Sequence, residues 1–170
     1  MTARSVGSNR IARDDVTDLS DLIAPDAIRI DITAGNKKTL FQTLGTVAGE
    51  VMNLDPRRVT DGLAARERLG STGFGGGIAI PHARIEGVRR VRGLFARLTS
   101  PVDFHAIDGL PVDLLLLLVS PVDAGGTHLK ALARVSRLLR DSSFADKLRG
   151  AGSRDAIYAL LTGVEARDAA

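Results

Sequence analysis

Ile28, Ile30 and Ile32 alternate with Arg29 and Asp31, the period-two pattern of a strand with one buried face. Asn36 then offers a side-chain oxygen as a helix N-cap. Leu40, Leu44, Val47, Ala48 and Val51 follow at helical spacing, so a helix runs to about Asn53. Asp55-Pro56 supplies a second cap with proline at the first helical position. Val59, Leu63 and Arg66 continue at i, i+4 and i+7, and Gly70 stops that helix. Residues 70–77 read as a glycine-rich loop, and Ile78-Ala79-Ile80 as a short apolar strand closed by Pro81. A further strand covers 91–98 and ends before Pro101. Residues 112–119 have the character of a central strand covered on both faces. After a Gly125-Gly126-Thr127 loop with a cap, Leu129, Leu132, Val135 and Leu139 mark an amphipathic helix. Two short helices near 144–149 and 154–161 close the chain. No segment repeats another. Strands alternating with helices predict an α/β fold, a sheet with helices on both faces.

Length adds that this is one domain: 170 residues leave no room for two ordinary ones. The expected division is a flexible leader over 1–18, the domain over 19–165 and a tail over 166–170. With no Trp and only 4% aromatic residues, the core must be aliphatic. The absence of Cys excludes disulfides, a thiol nucleophile and a thiolate metal site. Lys+Arg exceed Asp+Glu by 23 to 20, and the Arg89, Arg90, Arg92 cluster could touch nucleic acid but more often means a solvated face, so a basic nucleic-acid-binding module is the outsider reading. The longest apolar run, 114–119, is far below the roughly 20 residues that span a bilayer. Residues 1–17 lack the apolar stretch of a secretory signal. The expectation is a soluble, cytoplasmic protein.

Chemistry has few candidates. Of three histidines, His82 follows the proline-closed strand, so it is held at a strand end beside the glycine loop, where ligands gather in open α/β sheets. His128 opens a helix, where the positive dipole end disfavours imidazolium and favours an anion. A neutral imidazole there can still donate one N–H to a phosphate oxygen, or the residue can simply tolerate a helix start. His105, in DFHAIDG, reads as structural or exposed. Arg66 lies on the apolar stripe of its helix, so it needs an anion, an ion-pair partner such as Glu67, or a snorkelling path to water. Ser71 and Thr72 bring hydroxyls, and Gly73 a backbone N–H, to the adjacent loop. That loop lacks the closing Gly-Lys-Ser/Thr of a Walker A motif. It also precedes a strand instead of opening a helix, unlike a dinucleotide fingerprint. Three histidines without helical i, i+4 partners make a weak zinc site.

Three blocks in order, ARERLGSTGFGGGIAIPHAR (65–84), VDFHAIDGLPVDLLLLLVSP (102–121) and THLKALARVSRLLRD (127–141), resemble the type-2 IIA domains of the bacterial phosphotransferase system, the fructose/mannitol domains and their nitrogen-regulatory relatives. The resemblance extends from about residue 18 to 164. It implies a mixed sheet sandwiched by helices. It also implies a phosphoprotein that accepts a phosphoryl group from the phosphohistidine of an HPr-type carrier, with His82 as acceptor. His128 would be the second family histidine and Arg66 the family arginine, with Ser71, Thr72 and Gly73 in the phosphate loop. No metal, nucleotide or other cofactor is implied, because the donor is already an activated phosphoramidate. Two fates of the phosphate stay open: transfer to a IIB partner, or retention as a signal that changes protein binding. The absence of a fused IIB, IIC or HPr-like segment and the IAIPHAR form favour the second, regulatory branch.

Overall fold

The computed structural model describes residues 18–163, so the expected tail and nearly all of the expected leader lie outside the described residues. In chain order the elements are β1 (Ile28–Ile32), α1 (Lys37–Met52), α2 (Pro56–Arg68), β2 (Gly73–Gly75), β3 (Ile78–Ala79), β4 (His82–Arg84), β5 (Arg92–Val102), β6 (Val112–Ser120), α3 (Gly126–Leu139), α4 (Ser142–Gly150) and α5 (Arg154–Thr162). The strands form one sheet in the order β1-β5-β6-β3-β2, with β4 also paired to β6. β1 runs parallel to β5, β5 antiparallel to β6, and β6 parallel to both β3 and β4. The α/β fold with a mixed sheet is therefore as expected.

β6 is the centre of the core. Every residue from Leu114 through Ser120 is at 0% exposure. Successive side chains of a strand point to opposite faces, so both faces of the sheet are covered here. Each buried leucine contributes about 1.5–3 kcal/mol of transfer free energy, which makes this strand a large part of the core's stability.

The helix ends follow their residues. Asn36 Oδ1 accepts from the Thr39 amide at 2.8 Å, and Asn53, left-handed at φ 55°, closes α1. Asp55 accepts from the Arg57 amide at 2.9 Å, with Pro56 opening α2. Asp141 and Ser153 cap α4 and α5 in the same way.

Four local expectations need correction. The glycine-rich loop is partly a strand: β2 pairs antiparallel with β3, Gly73 opposite Ala79. β5 does not stop before Pro101. It continues to Val102, and Pro101 falls within the register shift between Arg97 and Val102, where a missing N–H costs no ladder bond. Thr127 does not cap α3; Gly125, at φ 51°, occupies that position and no side chain bonds there. The apolar stripe of α3 is also rotated. His128, Ala131, Val135, Leu138 and Leu139 are buried, whereas Leu129 is 62% exposed and Leu132 only half-buried.

One close approach positions the site. A Cβ added to Gly62 would lie 2.8 Å from Ile85 Cδ1 and 3.0 Å from the Ala83 Cβ. Only glycine lets α2 pack this tightly on β4, and Arg66 lies one turn further along the same face.

Candidate functional site

The C-terminal end of β6 holds both central histidines. In the parallel β4–β6 ladder, His82 is the register partner of Leu118 and Arg84 that of Ser120. His82 therefore opens a short strand of its own after the Pro81 break; it does not simply trail β3 as the sequence pattern suggested. Beyond Ser120 the chain turns at Pro121 and enters α3, whose third residue is His128. The two imidazole centroids end up 5.4 Å apart, with the rings tilted by 51°. α2 delivers Arg66 to the same place.

His82 is half-buried, and its two nitrogens have different partners. Nδ1 lies 2.9 Å from the Ile80 carbonyl oxygen. A carbonyl can only accept, so Nδ1 carries the proton and Nε2 is bare. The Nε–H of Arg66 donates to that bare Nε2 at 3.1 Å, and Arg66 Nη1 donates to the Gly70 carbonyl at 2.9 Å. The sequence left three readings of Arg66. The ion pair with Glu67 is not formed, because Glu67 pairs with Lys37 at 2.9 Å. Arg66 bonds the histidine instead. Burial pushes the His82 imidazole below its ordinary pKa of 6.5 and the Arg66 charge adds to this, while the Ile80 carbonyl and Glu67 act in the opposite sense. His128 is 5% exposed, and its Nδ1 lies 2.5 Å from Ser120 Oγ. Burial first, then the charges of His82 and Arg84, hold its pKa low as well. The site thus comprises two neutral imidazoles, one of which offers an unprotonated Nε2 to Arg66, beside the uncapped start of a helix. Chemically, such an arrangement can supply a nitrogen nucleophile next to groups that favour an anion.

The model of the phosphoenolpyruvate-dependent sugar phosphotransferase system EIIA 2 family matches residues 21–164. The chain belongs to this family. A nitrogen regulatory protein of Bradyrhizobium diazoefficiens is 46% identical over 143 residues, covering 84% of this chain and 94% of that protein. The crystal structure of nitrogen regulatory protein IIA-Ntr from Neisseria meningitidis matches with a TM-score of 0.79 at 37% identity, over 84% of this chain and 98% of that one. The Escherichia coli complex of enzyme IIAMTL with phosphorylated enzyme IIBMTL matches with a TM-score of 0.71, over 84% of this chain and 99% of that one. At 20% identity it shows the shared fold.

In this EIIA chain the hydroxyls of the loop are already engaged. Ser71 Oγ donates to the Phe104 carbonyl at 2.5 Å and accepts from the Gly73 amide at 3.1 Å. Thr72 donates its hydroxyl to Glu67 at 2.6 Å, and its amide to the same carboxylate at 3.1 and 3.2 Å. Glu67 is thereby a brace between the loop, Lys37 and the helix that carries Arg66. His105 has an 81% exposed side chain and a left-handed backbone at φ 52°, as befits the exposed reading. Among the arginines 89, 90 and 92, Arg92 turns inward with long contacts of 3.4 and 3.5 Å to the last carbonyls of α1, which leaves Arg89 and Arg90 on the surface. Among the described residues no helix is long and apolar enough to cross a membrane.

Sequence reasoning missed Ile80, Arg84 and Ser120, and offered Glu67 only as a partner for Arg66. The first acts through its backbone, which carries no sequence signal. The other three act across tertiary contacts that no local pattern encodes.

The depressed imidazoles give a stability signature. Below about pH 6.5 the unfolded chain binds protons that folded His82 and His128 refuse, so stability falls as pH drops from about 6.5 through the lower folded pKa values and is full above it. Urea midpoints measured between about pH 7.5 and about pH 5.5 are expected to decline for the native chain and to decline less for His82→Gln. Equal slopes for the two would contradict the assignment.

Proposed function

We propose that this chain accepts a phosphoryl group on His82 Nε2 from an HPr-type phosphohistidine protein and holds it as a regulatory signal that alters which proteins it binds. The observation that carries the reading is the bare Nε2, kept neutral and met by Arg66 at 3.1 Å. The Nε2 lone pair forms the new P–N bond, the donor's P–N bond breaks, and its electron pair returns to the donor imidazole. No proton has to move, since Nδ1–H stays on the Ile80 carbonyl. Arg66 must release Nε2 for attack and turn its guanidinium to the phosphoryl oxygens. In a loose, in-line transition state the charge sits on the three equatorial oxygens, where Arg66 and an N–H of His128 meet it. Ser71, Thr72 and Gly73 serve by fixing the loop's shape, since their bonds already tie it to Phe104, to Glu67 and to itself. The setting is cytoplasmic, where such a donor is made.

The regulatory reading is preferred to a sugar-specific IIA that hands phosphate to IIB, because a nitrogen regulatory relative is 46% identical to this chain, against 32% for fructose-specific components. Incubation with phosphoenolpyruvate, enzyme I and an HPr-type protein, followed by intact mass, tests the acceptance. Addition of a IIB domain tests the alternative: rapid loss of the label to IIB would favour it.

His128 assists without accepting. A glutamine amide can imitate one neutral N–H donor, so His128→Gln is expected to retain much of the transfer rate and His128→Ala to lose about tenfold, the loss of roughly 1.4 kcal/mol in the transition state. Both variants should still become labelled at His82, as rapid-quench labelling followed by peptide mapping would show. Equal and complete loss in the two would transfer the acceptor role to His128.

A further inference from the structure

β6 is apolar from Leu114 to Val119, and its last residue, Ser120, is equally buried at 0% exposure. A hydroxyl sealed at the end of the central strand needs a partner, because an unpaired buried hydroxyl costs about 1–3 kcal/mol. The partner is His128 Nδ1 at 2.5 Å. The direction of this bond follows from counting protons. If the ring donated, the Ser120 hydroxyl proton would itself need an acceptor, and among the described residues that hydroxyl makes no other bond. If the hydroxyl donates, its proton is used and Nδ1 must be bare, which places the ring's proton on Nε2. The same count applied to His82 gave the opposite tautomer, because there the partner is a carbonyl. Two neighbouring neutral imidazoles, with centroids 5.4 Å apart, are thus set in opposite tautomers by the two different groups behind them.

We propose that Ser120 is a positioning residue for phosphoryl transfer: its buried hydroxyl donates to His128 Nδ1, fixing the ring in the Nε2–H form that presents a donor to the phosphoryl group on His82. This inference rests on the function proposed above and deepens it. It also accounts for the rotated stripe of α3. The helix turns His128 inward to the end of β6, at the cost of leaving Leu129 at 62% exposure. Ser120 itself touches no transferred atom. Its effect passes through the orientation of one ring, as an outer residue orients a ligating histidine.

The test has two arms on the full-length chain. In the first, 15N NMR of the histidine rings in the unphosphorylated native protein reads which nitrogen bears the proton, without any donor protein. His82 is expected to be Nδ1–H, and His128 to be Nε2–H with a hydrogen-bonded Nδ1. The Nδ1 resonance of His128 should shift in Ser120→Ala and return in Ser120→Thr. A native His128 protonated on Nδ1 overturns the proposal, as does an Nδ1 resonance unmoved by Ser120→Ala. In the second arm, transfer from the phosphorylated HPr-type protein is expected to slow about tenfold in Ser120→Ala and to recover in Ser120→Thr. In the His128→Ala background, Ser120→Ala should add no further loss, because the residue it acts through is gone. Additive losses overturn the proposal and assign the effect to the fold. A native chain that takes no phosphate overturns the function itself, and the NMR arm still decides on Ser120. Should Ser120→Ala fail to fold, the native spectrum and Ser120→Thr carry the decision.

Discussion

His82→Gln is expected to take up no phosphate under conditions that label the native chain completely. Glutamine keeps a polar side chain that can still accept from Arg66, so the fold and the guanidinium remain in place. It lacks the imidazole lone pair, and no neighbouring side chain can substitute for it. His128 has its Nδ1 turned to Ser120, and His105 stands exposed on the loop that follows β5. Intact mass after incubation with phosphoenolpyruvate, enzyme I and the HPr-type donor reads the difference as the gain or absence of one phosphoryl group. The native adduct should be labile in acid and stable in alkali, as a phosphoramidate is. A label on His105 or His128 of the native chain would remove His82 from its role.

Arg66 carries the second large effect. Arg66→Lys keeps the charge but loses the planar fork that can meet two phosphoryl oxygens at once. Transfer should slow tenfold or more, a loss of at least about 1.4 kcal/mol in the transition state. Arg66→Ala should cost more, on the order of 10²–10³-fold, comparable to removal of one preorganised donor from an oxyanion site. Stability should change little by comparison. Arg66 makes one bond to the Gly70 carbonyl and one to His82, and the brace that holds the neighbouring loop runs through Glu67. Rapid-quench transfer rates paired with thermal melts separate the two roles. An unchanged rate with a large fall in melting temperature would make Arg66 a structural residue.

The features legible in the sequence were those with local causes. Asn36, Asp55 and Pro56 fixed where helices begin because capping is a matter of adjacent residues. The leucine run of β6 announced a strand covered on both sides. The misreadings share a non-local cause. Glycine is depleted in strands, so nothing within Gly73–Gly75 suggests one; its strand character comes from pairing with β3. Leu129 has the spacing of a core residue and is exposed, because the face of α3 that packs inward is the one carrying His128, Ala131, Val135 and Leu138. The site divides likewise. His82, Arg66 and His128 stood out by position and by family resemblance, and the structure brings all three together. That Arg66 bonds His82 directly, sixteen residues away, depends on how closely α2 lies on β4 at Gly62.

The dependence of both histidines on β6 has a consequence for how the protein fails. A strand buried on both faces and bonded on both edges is expected to be among the last segments to open, its amides exchanging with solvent on global unfolding. His82 is laddered to that strand, and His128 is tethered to its final residue. The candidate site is thus mounted on the strand with the most complete burial. Warming will therefore not disarm the site by stages: the ability to take up phosphate and the cooperative fold should vanish together, at one temperature and over one transition width.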